Sequence, residues 1–163
     1  MTYIAIKRLL YILATTLVFS VCGGALATPQ TDENAHYKVV DGVAIYLGVM
    51  PAEIIQGHPK DHPETQMHGG PPDTGGRYHV MVALFEQSTG KRIADAQVTA
   101  TVSPLGFSGS EKKLEHMIVA GATTYGNYYT MSGPGPYRIE IRIKRRNAST
   151  AIHVTFEYQQ PRG

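Results

Sequence analysis

Tyr137-Arg138-Ile139-Glu140-Ile141-Arg142-Ile143-Lys144 alternates apolar and charged side chains without a break. A β-strand turns successive side chains to opposite faces. Period two therefore predicts Ile139, Ile141 and Ile143 in a core, with Arg138, Glu140, Arg142 and Lys144 in water. Such a strand is stable only if its apolar face is covered by another layer.

Other stretches supply that layer. Tyr37–Val40 and Val43–Leu47 flank Asp41-Gly42, a strong tight-turn signal between β-formers. Tyr78–Phe85 is a near-continuous apolar run, which predicts a central strand buried on both faces. Ala96–Ser103 sets Ala96, Val98, Ala100 and Val102 against Gln97, Thr99 and Thr101. Leu114–Val119 and Tyr125–Met131 read as further strands, and Gly133-Pro134-Gly135 breaks the second. Ala151–Tyr158 puts Ile152, Val154, Phe156 and Tyr158 on one face. No long amphipathic helix intervenes. The pattern predicts an all-β fold, an immunoglobulin-like antiparallel β-sandwich of about seven to eight strands.

Residues 50–77 stand apart. They hold Pro51, Pro59, Pro63, Pro71, Pro72 and five glycines. This reads as one long loop with a short helix near Ala52–Ile55. Long loops inside small domains are often functional.

The N-terminus reads as an address. Lys7 and Arg8 precede Leu9–Val21, thirteen mostly apolar residues, and Ala25-Leu26-Ala27 follows as a small-x-small cleavage pattern. The apolar run is shorter than the roughly 18 residues of a spanning helix. The expected layout is a signal peptide over 1–27, a flexible leader over 28–36 and a β-sandwich domain over 37–160. The implied compartment is the periplasm or an extracellular space. Cleavage after Ala27 removes Cys22, the only cysteine, so neither a disulfide nor a thiolate site is available. It also removes two of fifteen basic residues and leaves thirteen against thirteen acidic ones. A formally neutral domain does not present a nucleic-acid surface.

Enzyme signatures are missing. There is no Gly-x-Ser-x-Gly elbow, no phosphate-cradling glycine loop and no His-Glu-x-x-His. The sequence is read as non-enzymatic. Its unusual feature is histidine with methionine: seven His and five Met follow residue 27, clustered as Met50, His58, His62, Met67-His68, His79-x-Met81, His116-Met117 and Met131. Imidazole and thioether together suit copper, above all Cu(I), because soft donors select a soft ion. His58 and His62 lie in a polar Pro-rich stretch. His68 is flanked by glycines that let the chain turn beside a site. His79 and Met81 share one face of a strand. His116 and Met117 are adjacent and point to opposite faces. His153 faces solvent by its alternation, while Met50 and Met131 read as core filler.

A resemblance adds to this. Thr89-Gly90-Lys91-Arg92-Ile93-Ala94-Asp95-Ala96-Gln97-Val98 resembles the strand connection of YtkA-like periplasmic domains. Gly42–Met50, Met67-His68, the strand ending in Ser88-Thr89-Gly90, Leu114–Val119, Tyr125-Gly126-Asn127-Tyr128 and Pro136–Ile141 occur in order. Together they resemble the periplasmic sandwich proteins that accompany bacterial iron permeases. That family holds copper at a mixed His/Met site and serves iron acquisition. The resemblance implies His68 and Met117 as metal ligands. Thr123-Thr124 stand where the family has its next His, so His79, Met81 or His116 would complete the set.

The expected function is therefore a periplasmic metal-binding protein, related to copper or iron, serving uptake or homeostasis. Its expected partner is a membrane metal permease or another periplasmic protein. The alternative is a metal-free interaction module that docks through a sheet edge or the 50–77 loop.

Overall fold

Eight strands and one short helix form among the described residues of the computed structural model, which are 35–56, Gly70 and 75–161. The expected signal peptide, its cleavage point, most of the leader, and His58, His62, Met67 and His68 lie outside the described residues. The elements are β1 (Tyr37–Val40), β2 (Val43–Pro51), α1 (Ala52–Gln56), β3 (Arg77–Glu86), β4 (Ala96–Pro104), β5 (Ser110–Val119), β6 (Ala122–Thr130), β7 (Tyr137–Arg145) and β8 (Ile152–Tyr158). All strand pairs are antiparallel, in the order β1-β2-β3-β6-β5-β4-β7-β8.

The strand β5 joins two layers. Its first half, Ser110–Leu114, pairs with β4, and its second half, Glu115–Val119, pairs with β6. One layer is therefore β1-β2-β3-β6 with the end of β5, and the other is β4-β7-β8 with its beginning. At the far side, Lys38 Nζ donates to the carbonyl of Thr155 at 2.7 Å and ties β1 to β8. The result is the expected all-β sandwich.

The periodicities hold. Ile139, Ile141 and Ile143 are buried while Arg138, Glu140 and Arg142 are exposed. Val80, Val82 and Leu84 of β3 face them in the same core, with Tyr125 and Tyr129 of β6. Each such side chain removed from water contributes roughly 1.5–3 kcal/mol before entropy is counted. Between β1 and β2, Asp41 and Gly42 both take positive φ, 49° and 74°, as the mirror-image hairpin turn requires.

Two differences from the sequence reading have physical causes. Strand β5 starts at Ser110 rather than Leu114, because Ser110-Glu111-Lys112-Lys113 is ordered by its ladder to β4 and carries no apolar alternation of its own. Ile118, an apolar residue of the expected Leu114–Val119 strand, is 48% exposed. After Leu114 the strand leaves β4, so the side chains of the same parity, His116 and Ile118, stand beside a gap instead of over the core.

Candidate metal centre

The β3 residues that do not face the core turn the other way. His79 is fully buried on this second face, with Met81 and Ala83 half-buried beside it. Register aligns up to four strands here. Met50, His79 and Tyr128 form one cross-strand row, and Gly48, Met81, Gly126 and Glu115 form the next. Met117 and Thr124 pair one step further along.

The two glycines create space. A Cβ on Gly126 would stand 2.7 Å from Met117 Sδ and 2.8 Å from His79 Nε2. Both atoms thus press on the one spot that a side chain would otherwise fill, and they are no farther apart than the sum of those distances. Likewise, a Cβ on Gly48 would stand 3.3 Å from Met81 Cε. Imidazole and thioether come from strands that do not pair with each other, and they meet over the bare backbone of β6 between them.

The surroundings fix the imidazole. Its ring stacks on Tyr128, with centroids 4.7 Å apart and planes 25° from parallel. Tyr128 is buried with Ala52 of α1, and Met50 packs against both. The amide of Tyr128 is capped by Asn127 Oδ1 at 2.7 Å, while Lys112 Nζ donates to the Tyr128 carbonyl at 2.7 Å. Burial and the nearby Arg77 charge both push the Lys112 ammonium below its usual pKa. Thr124 Oγ1 is buried and has no hydrogen-bond partner among the described residues, an uncommon state for a hydroxyl. Glu115 contributes an exposed carboxylate to the row of Gly126.

The five proposed ligands thus separate. His79 and Met117 converge, Met81 lies in the adjoining row, and His116 does not join them. His116 is exposed and edge-on to Tyr125, with centroids 5.9 Å apart and planes at 82°, on the other side of β5. His68 lies outside the described residues. Met131 is core filler, as expected, at 1% exposure, but Met50 borders the His79 row instead of the main core. Among the described residues no group of three or more His, Cys, Asp or Glu side chains gathers. The donors that the described residues do bring together are one imidazole and methionine sulfur. Sequence reading missed Gly126, Tyr128 and Thr124. The first two sit in the Tyr125-Gly126-Asn127-Tyr128 stretch that carried the resemblance, and their part in the cluster depends on which strands neighbour β6.

Fold and cluster together describe an antiparallel β-sandwich with a buried His/Met group on the outer face of one sheet. No protein family and no curated protein matches the chain by sequence. Solved structures do match its fold. FetP from uropathogenic Escherichia coli strain F11, expressed in the periplasm of a laboratory strain, superposes with a TM-score of 0.59 at 13% identity, over 77% of this chain and 93% of that one. A copper-bound variant of FetP gives 0.57 at 13% identity, over 77% and 94%. A DUF4426 family protein from Pseudomonas aeruginosa PAO1 gives 0.57 at 16% identity, over 77% and 93%. The likeness is one of fold, and the presence of FetP agrees with the family resemblance read from the sequence. Among the described residues no helix is long and apolar enough to cross a membrane.

Proposed function

We propose that the chain is an exported, non-catalytic metal-binding protein whose ion is copper and whose role is metal uptake or homeostasis. The observation that carries this reading is the convergence of His79 Nε2 and Met117 Sδ on Gly126. Metal–nitrogen and metal–sulfur bonds of about 2.0–2.3 Å call for donors this near or nearer. His79 and Met117 would hold the ion, with Met81 of the adjoining row a further sulfur and Thr124 Oγ1 a weak oxygen donor. A set of one imidazole and thioethers favours Cu(I) over iron, which takes more readily to oxygen and nitrogen. The copper-bound FetP variant of like fold supports the same ion.

Export rests on Lys7-Arg8, the apolar Leu9–Val21 and Ala25-Leu26-Ala27. It implies a periplasmic location, an N-terminus near Thr28, and a membrane permease or another periplasmic protein as recipient. Mass spectrometry of the protein recovered from the periplasm tests this part. A chain that keeps Met1, or carries lipid on Cys22, would contradict it.

The binding part is tested by metal analysis of the purified protein and competitive titration with Cu(I), Cu(II) and Fe(II). Saturable binding of one Cu(I), tighter than Cu(II) and Fe(II), is expected. Failure to bind any of the three would leave the interaction module as the reading. For that reading the open hollow lined by Tyr37, Tyr46 and Phe85 on the same sheet is the surface to examine.

A further inference from the structure

The place where β5 changes layers leaves an opening. Strand β4 is paired with β5 only from Val98 onward, so Ala96 and Gln97 face no strand on that side. A cleft of about 490 Å³ fills the gap, within the range of small-molecule sites. His116 and Tyr125 form one wall, and Lys144, Arg145 and Arg146 the other. A second hollow of about 220 Å³ continues from it past Arg145, Arg146 and Asn147.

The charge of this opening is lopsided. Among the described residues that line it, Asp95 is the one carboxylate, against three cationic residues. Two of the cations are held in place. Arg145 is ion-paired with Glu86 at one end of its guanidinium, and Lys144 Nζ donates to the carbonyl of Ser149 at 2.6 Å. Arg146 is exposed and makes no ion pair or hydrogen bond among the described residues. The phenol of Tyr125 is already engaged, since it accepts from the amide of Ala96 at 3.1 Å. His116 lines the hollow, is exposed and meets Tyr125 edge-on. One lysine and two arginines line the same hollow, and such cations match the oxygens of carboxylate or phosphate groups. Guanidinium forks bind such groups through paired charge-assisted hydrogen bonds.

We infer that this cleft binds a small polyanion, a molecule bearing two or more negative charges on carboxylate or phosphate groups. It is a site separate from the His79–Met117 cluster, because adjacent residues of β5, His116 and Met117, point to opposite sides. It needs no metal.

Calorimetric titration of metal-free protein with citrate, inorganic phosphate and acetate at fixed ionic strength tests it, together with amide NMR shifts. Citrate or phosphate should bind saturably and acetate should not. The shifts should centre on Ala96, Gln97, His116 and Arg146. Saturation by citrate alone identifies a polycarboxylate, and by phosphate alone a phosphate compound. Arg146→Ala should weaken binding tenfold or more, and Arg146→Gln should do the same should the first variant fold poorly. Arg138→Ala removes an equal charge from the exposed face of β7 and should change nothing. The inference is overturned if neither citrate nor phosphate saturates, or if Arg138→Ala weakens binding as much as Arg146→Ala.

Discussion

His79 Nε2 and Met117 Sδ lie on opposite neighbours of β6, and both press on the point where Gly126 lacks a side chain. The register that brings them there is long-range. His79 is opposite Tyr128, Met81 opposite Gly126, and Met117 opposite Thr124. The site is thus a product of three adjacent strands, and its centre is a residue with no functional group.

Gly126→Ala tests that geometry. The new Cβ would come within 3 Å of both the sulfur and the imidazole nitrogen, so His79 and Met117 must move apart. The strand can carry alanine, and the overpacking should cost about 1–3 kcal/mol. Cu(I) affinity should drop at least tenfold while the far-ultraviolet dichroism stays that of a β-sandwich. Unchanged affinity in a folded variant would show that the two side chains do not share an ion.

The core offers a control on the fold itself. Ile141 is 1% exposed and Arg142, its neighbour, is exposed on the opposite face. Ile141→Ala should cost roughly 2–5 kcal/mol, and Arg142→Ala should stay within about 0.5 kcal/mol. Denaturant unfolding of the two variants measures both. Equal effects would mean that β7 is out of register.

Alkaline pH should unfold the protein through its buried tyrosines. Burial is the main cause that raises the Tyr129 phenol far above its usual value near 10, and burial also raises Tyr125, Tyr137 and Tyr158. The fold therefore favours the neutral phenol. Its contribution is complete below pH 10 and is lost as pH rises above 10, because the unfolded chain ionises first. Tyr129 donates to the carbonyl of Ala100 at 2.7 Å. Tyr129→Phe should cost about 1 kcal/mol at neutral pH and should make the decline above pH 10 shallower. Unfolding curves between pH 7 and 11 check this, and an unchanged alkaline slope would contradict it.

Much of the sandwich was legible because its strands carry local signals. The alternation of β7 and the Asp41-Gly42 turn act within a few residues, and the structure keeps both. Ser110–Lys113 was not legible, since a polar segment becomes strand only through its partner β4. The site was half legible. His79, Met81 and Met117 stood out by residue type, and the opposite facing of His116 and Met117 followed from strand period. The meeting point did not, because nothing local says that β3 and β5 flank β6. The sequence also placed His68 beside Met117 as the first pair of ligands; His68 lies outside the described residues, and the nitrogen facing Met117 within the sheet is that of His79.

The most direct measurement is copper K-edge X-ray absorption on the Cu(I)-loaded protein, with Met117→Leu for comparison. Leucine keeps the buried volume of Met117 but removes its sulfur, and such a swap usually costs under about 1.5 kcal/mol. The account predicts sulfur and imidazole nitrogen in the wild-type copper shell, with sulfur scattering reduced in Met117→Leu and the imidazole signal retained. A copper shell of nitrogen and oxygen alone, or one that Met117→Leu leaves unchanged, would contradict it.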